Sequence, residues 1–239
     1  MNYKTMLFLL FFFAYLIFLF YPSSFKSGSS FYNLKDKLWA HRVLDINRVN
    51  DLASEFNGFE VDVFYNQKFN QFEVKHHGNY SELSLDNYFN AYKDLSLKFW
   101  IDFKNLNENN IDSSFLLLNT LSKKYDLKKD IIIESTKIEL LSKFKEEGFY
   151  ISYWVPNYHF LKSIVNINRI KKNIIHYEPS VISMNYSSVA FYSRKFPNYP
   201  IHCWTNDMIK ENDKIKIKNL SDNEKVKVIL TDFKQNFLR

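Results

Sequence analysis

The sequence predicts an α/β protein, a closed (β/α)8 or TIM barrel that carries an N-terminal transmembrane or signal-anchor helix. Three observations lead there. Eight short apolar or β-branched runs recur from Leu38 onwards, separated by segments of helical periodicity, with no change of composition to mark a second domain. Ionisable residues gather where those runs end, and a barrel keeps its functional loops at the C-terminal ends of its strands. Ahead of all this, residues 6–21 are apolar without interruption.

Taken in order, that apolar run makes residues 1–22 a membrane anchor or export signal, since at about 1.5 Å per helical residue it nearly crosses a ~30 Å hydrocarbon layer. Ser27-Gly28-Ser29 is a weak cleavage site. An uncleaved single-pass anchor is therefore expected. Lys4 and the terminal amine before the run, against Lys26 after it, give a slight bias that places the domain on the periplasmic or extracellular side. Residues 23–30, small and polar, read as a linker, and residues 31–239 as the barrel domain.

The eight strands are expected at Leu38–His41, Gly58–Phe64, Lys98–Phe103, Asp130–Ser135, Tyr150–Val155, Val181–Asn185, Ile201–Thr205 and Val226–Thr231. Helices are expected at Ile46–Phe56, Leu85–Lys93, Asp112–Tyr125, Lys137–Glu146, Tyr158–Lys172 and Ser188–Lys195, with a short one near Met208. Thr136 and Glu139 have the spacing of a capping box at the start of the fourth of these. Between the second and third runs, Asn66–Gln71 reads as a turn, and the alternation of Phe72, Val74 and His76 reads as an extra hairpin strand.

Composition narrows the function. The net charge is +6, but the lysines are scattered among acids and no Arg-rich stripe appears, so no nucleic-acid partner is expected. Cys203 is the only cysteine, which excludes an intrachain disulfide and a Cys-based zinc site. With four glycines and no Gly-x-Gly-x-x-Gly or Walker loop, a nucleotide cradle is excluded as well.

The polar residues at the strand ends are what remain. Glu60 and Asp62 are two apart in a strand and share a face, as do Asp102 and Lys104. Adjacent buried carboxylates need a cation or donors, and three converging in a barrel mouth suit a hard, oxygen-loving ion such as Mg²⁺ or Ca²⁺. His41 and His76 complete a set for phosphodiester cleavage, because one imidazole can take a proton from the attacking hydroxyl while the other protonates the departing alkoxide. Arg42 or Lys104 supplies a further positive charge for the phosphate. Glu134 and Asp232 also stand at strand ends, with helix capping as the alternative role for each.

Three segments in this order, Trp39-Ala40-His41-Arg42, Gly58-Phe59-Glu60-Val61-Asp62-Val63 and Val74-Lys75-His76-His77, resemble the His-Arg, Glu-x-Asp and His-Asp blocks of the glycerophosphodiester phosphodiesterase family and its phospholipase-C-like and sphingomyelinase-D-like relatives. Ile101-Asp102-Phe103-Lys104 resembles the family's third-strand carboxylate-x-Lys block, and Trp204-Thr205-Asn206 and Leu230-Thr231-Asp232 resemble its late-strand signatures. The resemblance covers most of the chain after Leu38. It implies that Glu60, Asp62 and Asp102 hold the metal, that His41 and His76 are the acid and base, and that Arg42, Lys104 and Trp204 bind the substrate. Two departures stand out: Val43–Asn47 replace the glycine and Pro-Glu-Asn segment that usually follow the first His-Arg, and the His-Asp pair reads His76-His77. His76 is preferred to His77 because it shares a strand face with Phe72 and Val74.

The expected activity is thus metal-dependent hydrolysis of a glycerophosphodiester or a phospholipid headgroup. The alternative is a membrane-tethered barrel that binds a lipid headgroup or a protein partner without turnover.

Overall fold

The computed structural model describes residues 3–20, 37–76, 82–93, 95–157, 160–205 and 211–231. The expected linker, His77, His159, Asn206, Met208 and Asp232 lie outside the described residues. Eight parallel strands close into a barrel: β1 (Leu38–Ala40), β2 (Gly58–Asn66), β4 (Lys98–Phe103), β5 (Ile131–Ser135), β6 (Tyr150–Trp154), β7 (Val181–Asn185), β8 (Ile201–Trp204) and β9 (Val226–Thr231). Closure comes from β1, which pairs with β9 on one side and with β2 on the other, where Ala40 stands opposite Phe59. The remaining strand, β3 (Gln71–Val74), runs antiparallel to the C-terminal half of β2, which outruns the barrel.

Alternation along the strands separates two apolar layers. Phe59, Val61, Phe99, Ile101, Ile131, Ile133 and Ile151 point outwards and are fully covered. The helices outside the barrel are α2 (Ile46–Ala53), α3 (Leu85–Tyr92), α4 (Ile111–Lys124), α5 (Ile138–Glu146), α6 (Phe160–Tyr177), α7 (Val189–Lys195) and α8 (Glu211–Ser221), and their apolar residues join this outer core. Inside, Trp39, Trp100, Ile132, Val181, Val228 and Leu230 form a second cluster that plugs the lower barrel. Gly58 is required there: a Cβ at that position would lie 2.3–2.6 Å from three atoms of the Trp39 indole. These side chains fill the floor, and a cavity opens at the strands' C-terminal ends.

Several boundaries differ from the sequence reading. The capping box is not formed, because α5 starts one residue late with Lys137 at its N-cap and the Ser135 hydroxyl accepts from the Lys137 amide instead. α6 runs on to Tyr177, and the last helix among the described residues is α8, Glu211–Ser221. The N-terminal helix α1 (Tyr3–Phe20) has 18 residues, which is about 27 Å of rise. Among the described residues no helix is long and apolar enough to cross a membrane. The expected single-pass anchor thus finds no support in the fold.

Candidate active site

The mouth of the barrel holds a cavity of about 290 Å³ lined by His41, Arg42, Glu60, His76, Asp102, Lys104, Glu134, Trp154, Trp204 and Leu230. Every residue singled out from the sequence for catalysis, substrate or metal lines it except Asp62, which lies fully buried against two of them.

The first loop is set by hydrogen bonds from three directions. The His41 amide donates to the Thr231 carbonyl and the Val43 amide to the Glu60 carbonyl. From α3, the hydroxyls of Tyr88 and Tyr92 donate to the carbonyls of Val43 and Ile46, each at 3.0 Å. Between these ties Arg42 adopts a left-handed backbone with φ 51°, a conformation in which a non-glycine residue is strained. The bend aims the Arg42 amide at Glu60, whose Oε2 accepts it at 2.7 Å. His41 Nε2 then stands 3.9 Å from the same oxygen.

On β2 and β4 the register sets Asp62 beside Asp102 and Glu60 beside Trp100. One oxygen from each of Glu60, Asp62 and Asp102 lies within 4.8 Å of the others. Lys104 Nζ bridges two of them, at 2.6 Å from Asp62 Oδ1 and in contact with Asp102 Oδ2. His76 Nδ1 lies 2.7 Å from Asp62 Oδ2, a pairing in which the carboxylate accepts.

His76 lines the cavity, but it shares no strand face with Phe72 and Val74. Phe72 and Val74 belong to the outer core, with Phe72 packed edge to face on Tyr65 and Phe103. β3 ends at Val74, and the Lys75 amide donates to the Asp62 carbonyl. That turn breaks the alternation and brings His76 over the inward-facing Asp62.

The charge balance explains how these groups titrate. Burial, with Asp62 and Asp102 beside it, holds the Glu60 carboxyl well above the usual carboxylate range. Burial likewise pushes Asp102 up to about 6, against the pull of Lys104. Burial opposes the Lys104 ammonium, yet Asp102 and Asp62 outweigh it and hold its pKa above the ordinary lysine value. Three buried carboxylates thus converge beside one ammonium that bridges two of them, a cluster whose oxygens could hold a metal ion.

Three lining residues, Glu134, Trp154 and Leu230, were given no site role from the sequence. Glu134 is 2% exposed and turns into the mouth rather than capping α5. Its Oε2 accepts from Ser152 Oγ at 2.7 Å, and burial with Asp102 nearby pushes its carboxyl up to about 8. Trp154 went unnoticed because it is an aromatic in an apolar run; the signal was its place at the inward end of the Tyr150, Ser152, Trp154 alternation. His202 is enclosed in the lower barrel beside Trp39 and Trp100.

Solved structures with this architecture include a glycerophosphodiester phosphodiesterase from Parabacteroides distasonis, with 16% sequence identity over 84% of this chain and 94% of that one and a TM-score of 0.65. The chain shares the fold of these phosphodiesterases. A phosphodiesterase from Oleispira antarctica, solved in complex with the product sn-glycerol-3-phosphate, matches with 11% identity over 84% of this chain and 94% of that one at a TM-score of 0.64. A calcium-dependent phosphoinositol-specific phospholipase C from a Pseudomonas species matches with 13% identity over 90% and 93% of the two chains at 0.53. No family model and no curated protein matches the sequence. At these identities the likeness shows a common fold, and the reading of the chemistry rests on the residues in the mouth.

Proposed function

We propose that the chain hydrolyses a phosphodiester, a glycerophosphodiester or a phospholipid headgroup, by histidine acid-base catalysis at a divalent-metal site. The observation that carries this reading is the convergence of the three carboxylates of Glu60, Asp62 and Asp102, with His76 hydrogen-bonded to one and His41 facing another. Glu60, Asp62 and Asp102 would hold Mg²⁺ or Ca²⁺, which when bound supplies positive charge to a non-bridging phosphate oxygen. Lys104 and Arg42 both line the cavity, and their positive charges would serve the same phosphate. Asp62 orients His76 through Nδ1, so Nε2 takes or gives the proton at one side of the scissile bond. His41 does the complementary transfer. Trp204 closes the cavity beside them and bounds the volume open to the alcohol.

The test is release of alcohol from a panel of glycerophosphodiesters, lysophospholipids and phosphoinositides with Mg²⁺, Ca²⁺ or EDTA present. Turnover that needs the metal and vanishes in His41→Ala is the expected result. Equal rates in wild type and His41→Ala would reject histidine catalysis. A folded protein that binds metal without turnover would leave the barrel as a headgroup binder.

A further inference from the structure

The loop that carries His41 and Arg42 is held from outside the barrel as well as from within it. Its continuation, Val43–Asn47, is where the chain departs from the sequences it resembles, and two tyrosines one turn apart on α3 span it. Tyr88 and Tyr92 are 0% and 2% exposed. Their rings pack edge to face with centroids 4.8 Å apart, and the Tyr88 ring packs the same way on Phe99 of β4. A phenol buried this deeply needs an acceptor. Each hydroxyl finds one in the loop, the Val43 carbonyl for Tyr88 and the Ile46 carbonyl for Tyr92. Burial raises both phenols above the ordinary tyrosine value, so each stays protonated and donates.

Val43 is thereby pinned on both sides, its amide to the Glu60 carbonyl and its own carbonyl to Tyr88. Arg42 stands just before it at φ 51°, a strained backbone that persists only while its surroundings over-determine it. Relaxation there would swing the Arg42 amide off Glu60 Oε2 and carry His41 along. The same helix is fastened to the other histidine's segment. Ser84 caps α3, its hydroxyl accepting from the Asn87 amide at 3.1 Å. Ser84 also bridges Glu73 of β3, and the Leu83 carbonyl accepts from the Val74 amide at 2.9 Å. His76 leaves from that end of β3.

We infer that Tyr88 and Tyr92 are positioning residues, a clamp on α3 that holds the left-handed turn at Arg42, and with it His41, in place relative to His76. What His41 does there rests on the phosphodiester reading; the hold on the loop does not, and the two are measured separately. Tyr88→Phe and Tyr92→Phe each remove one hydroxyl and keep the ring. Tyr199→Phe is the control, because Tyr199 is also buried and its hydroxyl donates to the Pro179 carbonyl at 2.7 Å, ahead of β7 and β8 at the opposite end of the barrel. Amide hydrogen exchange is followed by NMR in the full chain, and kcat is measured on glycerophosphodiesters, lysophospholipids and phosphoinositides with Mg²⁺.

In Tyr88→Phe the Arg42 and Val43 amides should exchange about tenfold faster than in wild type, the effect of one lost hydrogen bond on a local opening. In Tyr199→Phe they should keep the wild-type rate, while the Ile101 and Ile133 amides in the strands respond alike to both substitutions. Displacement of His41 should lower kcat about tenfold or more in Tyr88→Phe and leave it within about twofold of wild type in Tyr199→Phe. Tyr92→Phe should act in the same direction more weakly, because Ile46 lies further from His41 along the chain, and it carries the comparison if Tyr88→Phe does not fold. Arg42 and Val43 amides at the wild-type rate in both α3 variants overturn the inference, as do amides that speed up equally in Tyr199→Phe. So does a loosened loop with kcat unchanged, since His41 then keeps its place without the clamp. If the wild type turns over none of these phosphodiesters, the exchange comparison alone decides the clamp and only the proposed reaction falls.

Discussion

At the scale of single residues, the two histidines and Arg42 make separable predictions. If His41 and His76 divide proton removal and donation, each alanine substitution should lower kcat by about 10²–10⁴-fold and abolish one limb of a bell-shaped pH-rate profile. Steady-state kinetics from pH 5 to 9 would show this; an unchanged bell in either variant would remove that histidine from the chemistry. Arg42 is held with φ 51°, where glycine is the unstrained residue. Arg42→Gly should therefore unfold at higher urea, by about 0.5–1 kcal/mol, while KM rises because a fixed cation has gone from the phosphate's wall. Unchanged KM would mean that the guanidinium does not meet the substrate. Glu60, Asp62, Asp102 and Lys104 were legible in the sequence because charges in apolar strands have no structural excuse. Trp154 was not, since an aromatic at a strand end reads as core until the barrel shows which way it faces.

Among the elements, β3 and the lower barrel bear directly on the site. The hairpin hangs on Phe72, which is 1% exposed between Tyr65 and Phe103. Phe72→Ala should cost about 3–5 kcal/mol and lower kcat more than it raises KM, because His76 leaves from the end of the same strand. A loss of stability with kcat intact would show that His76 is placed by Asp62 without help from the hairpin. Gly58→Ala drives a methyl group into the Trp39 indole, so overpacking of about 1–3 kcal/mol is expected in a denaturant titration. The strands themselves were readable to within a residue or two, since each is an apolar run bounded by polar turns. Helix starts were less so: the Thr136 and Glu139 pair has capping-box spacing, yet the chain leaves β5 in a direction that hands the cap to Lys137 and Ser135.

For the whole molecule, the buried acids tie stability to pH and to metal. A carboxyl whose pKa is raised by folding favours the folded state fully below its unfolded value, about 4. That contribution is lost as pH rises through the folded value, about 6 for Asp102 and about 8 for Glu134. In EDTA the melting temperature should fall from about pH 4 to about pH 8, and Mg²⁺ or Ca²⁺ should raise it more at pH 8 than at pH 5. Thermal unfolding at those two pH values decides it; a melting temperature that climbs with pH in EDTA would show that Lys104 and the solvent already balance the acids. By itself the sequence determined the alternation of strands and helices and the group of charged residues at the strand ends, because short apolar runs between helical segments and the cost of burying charge are both local properties. Only the tertiary structure decided that Lys104 bridges Asp62 and Asp102, that His76 arrives by leaving its strand, and that Glu134 and Trp154 face the histidines. These follow from barrel closure, which brings together strand ends far apart in the chain at a register that no local pattern encodes.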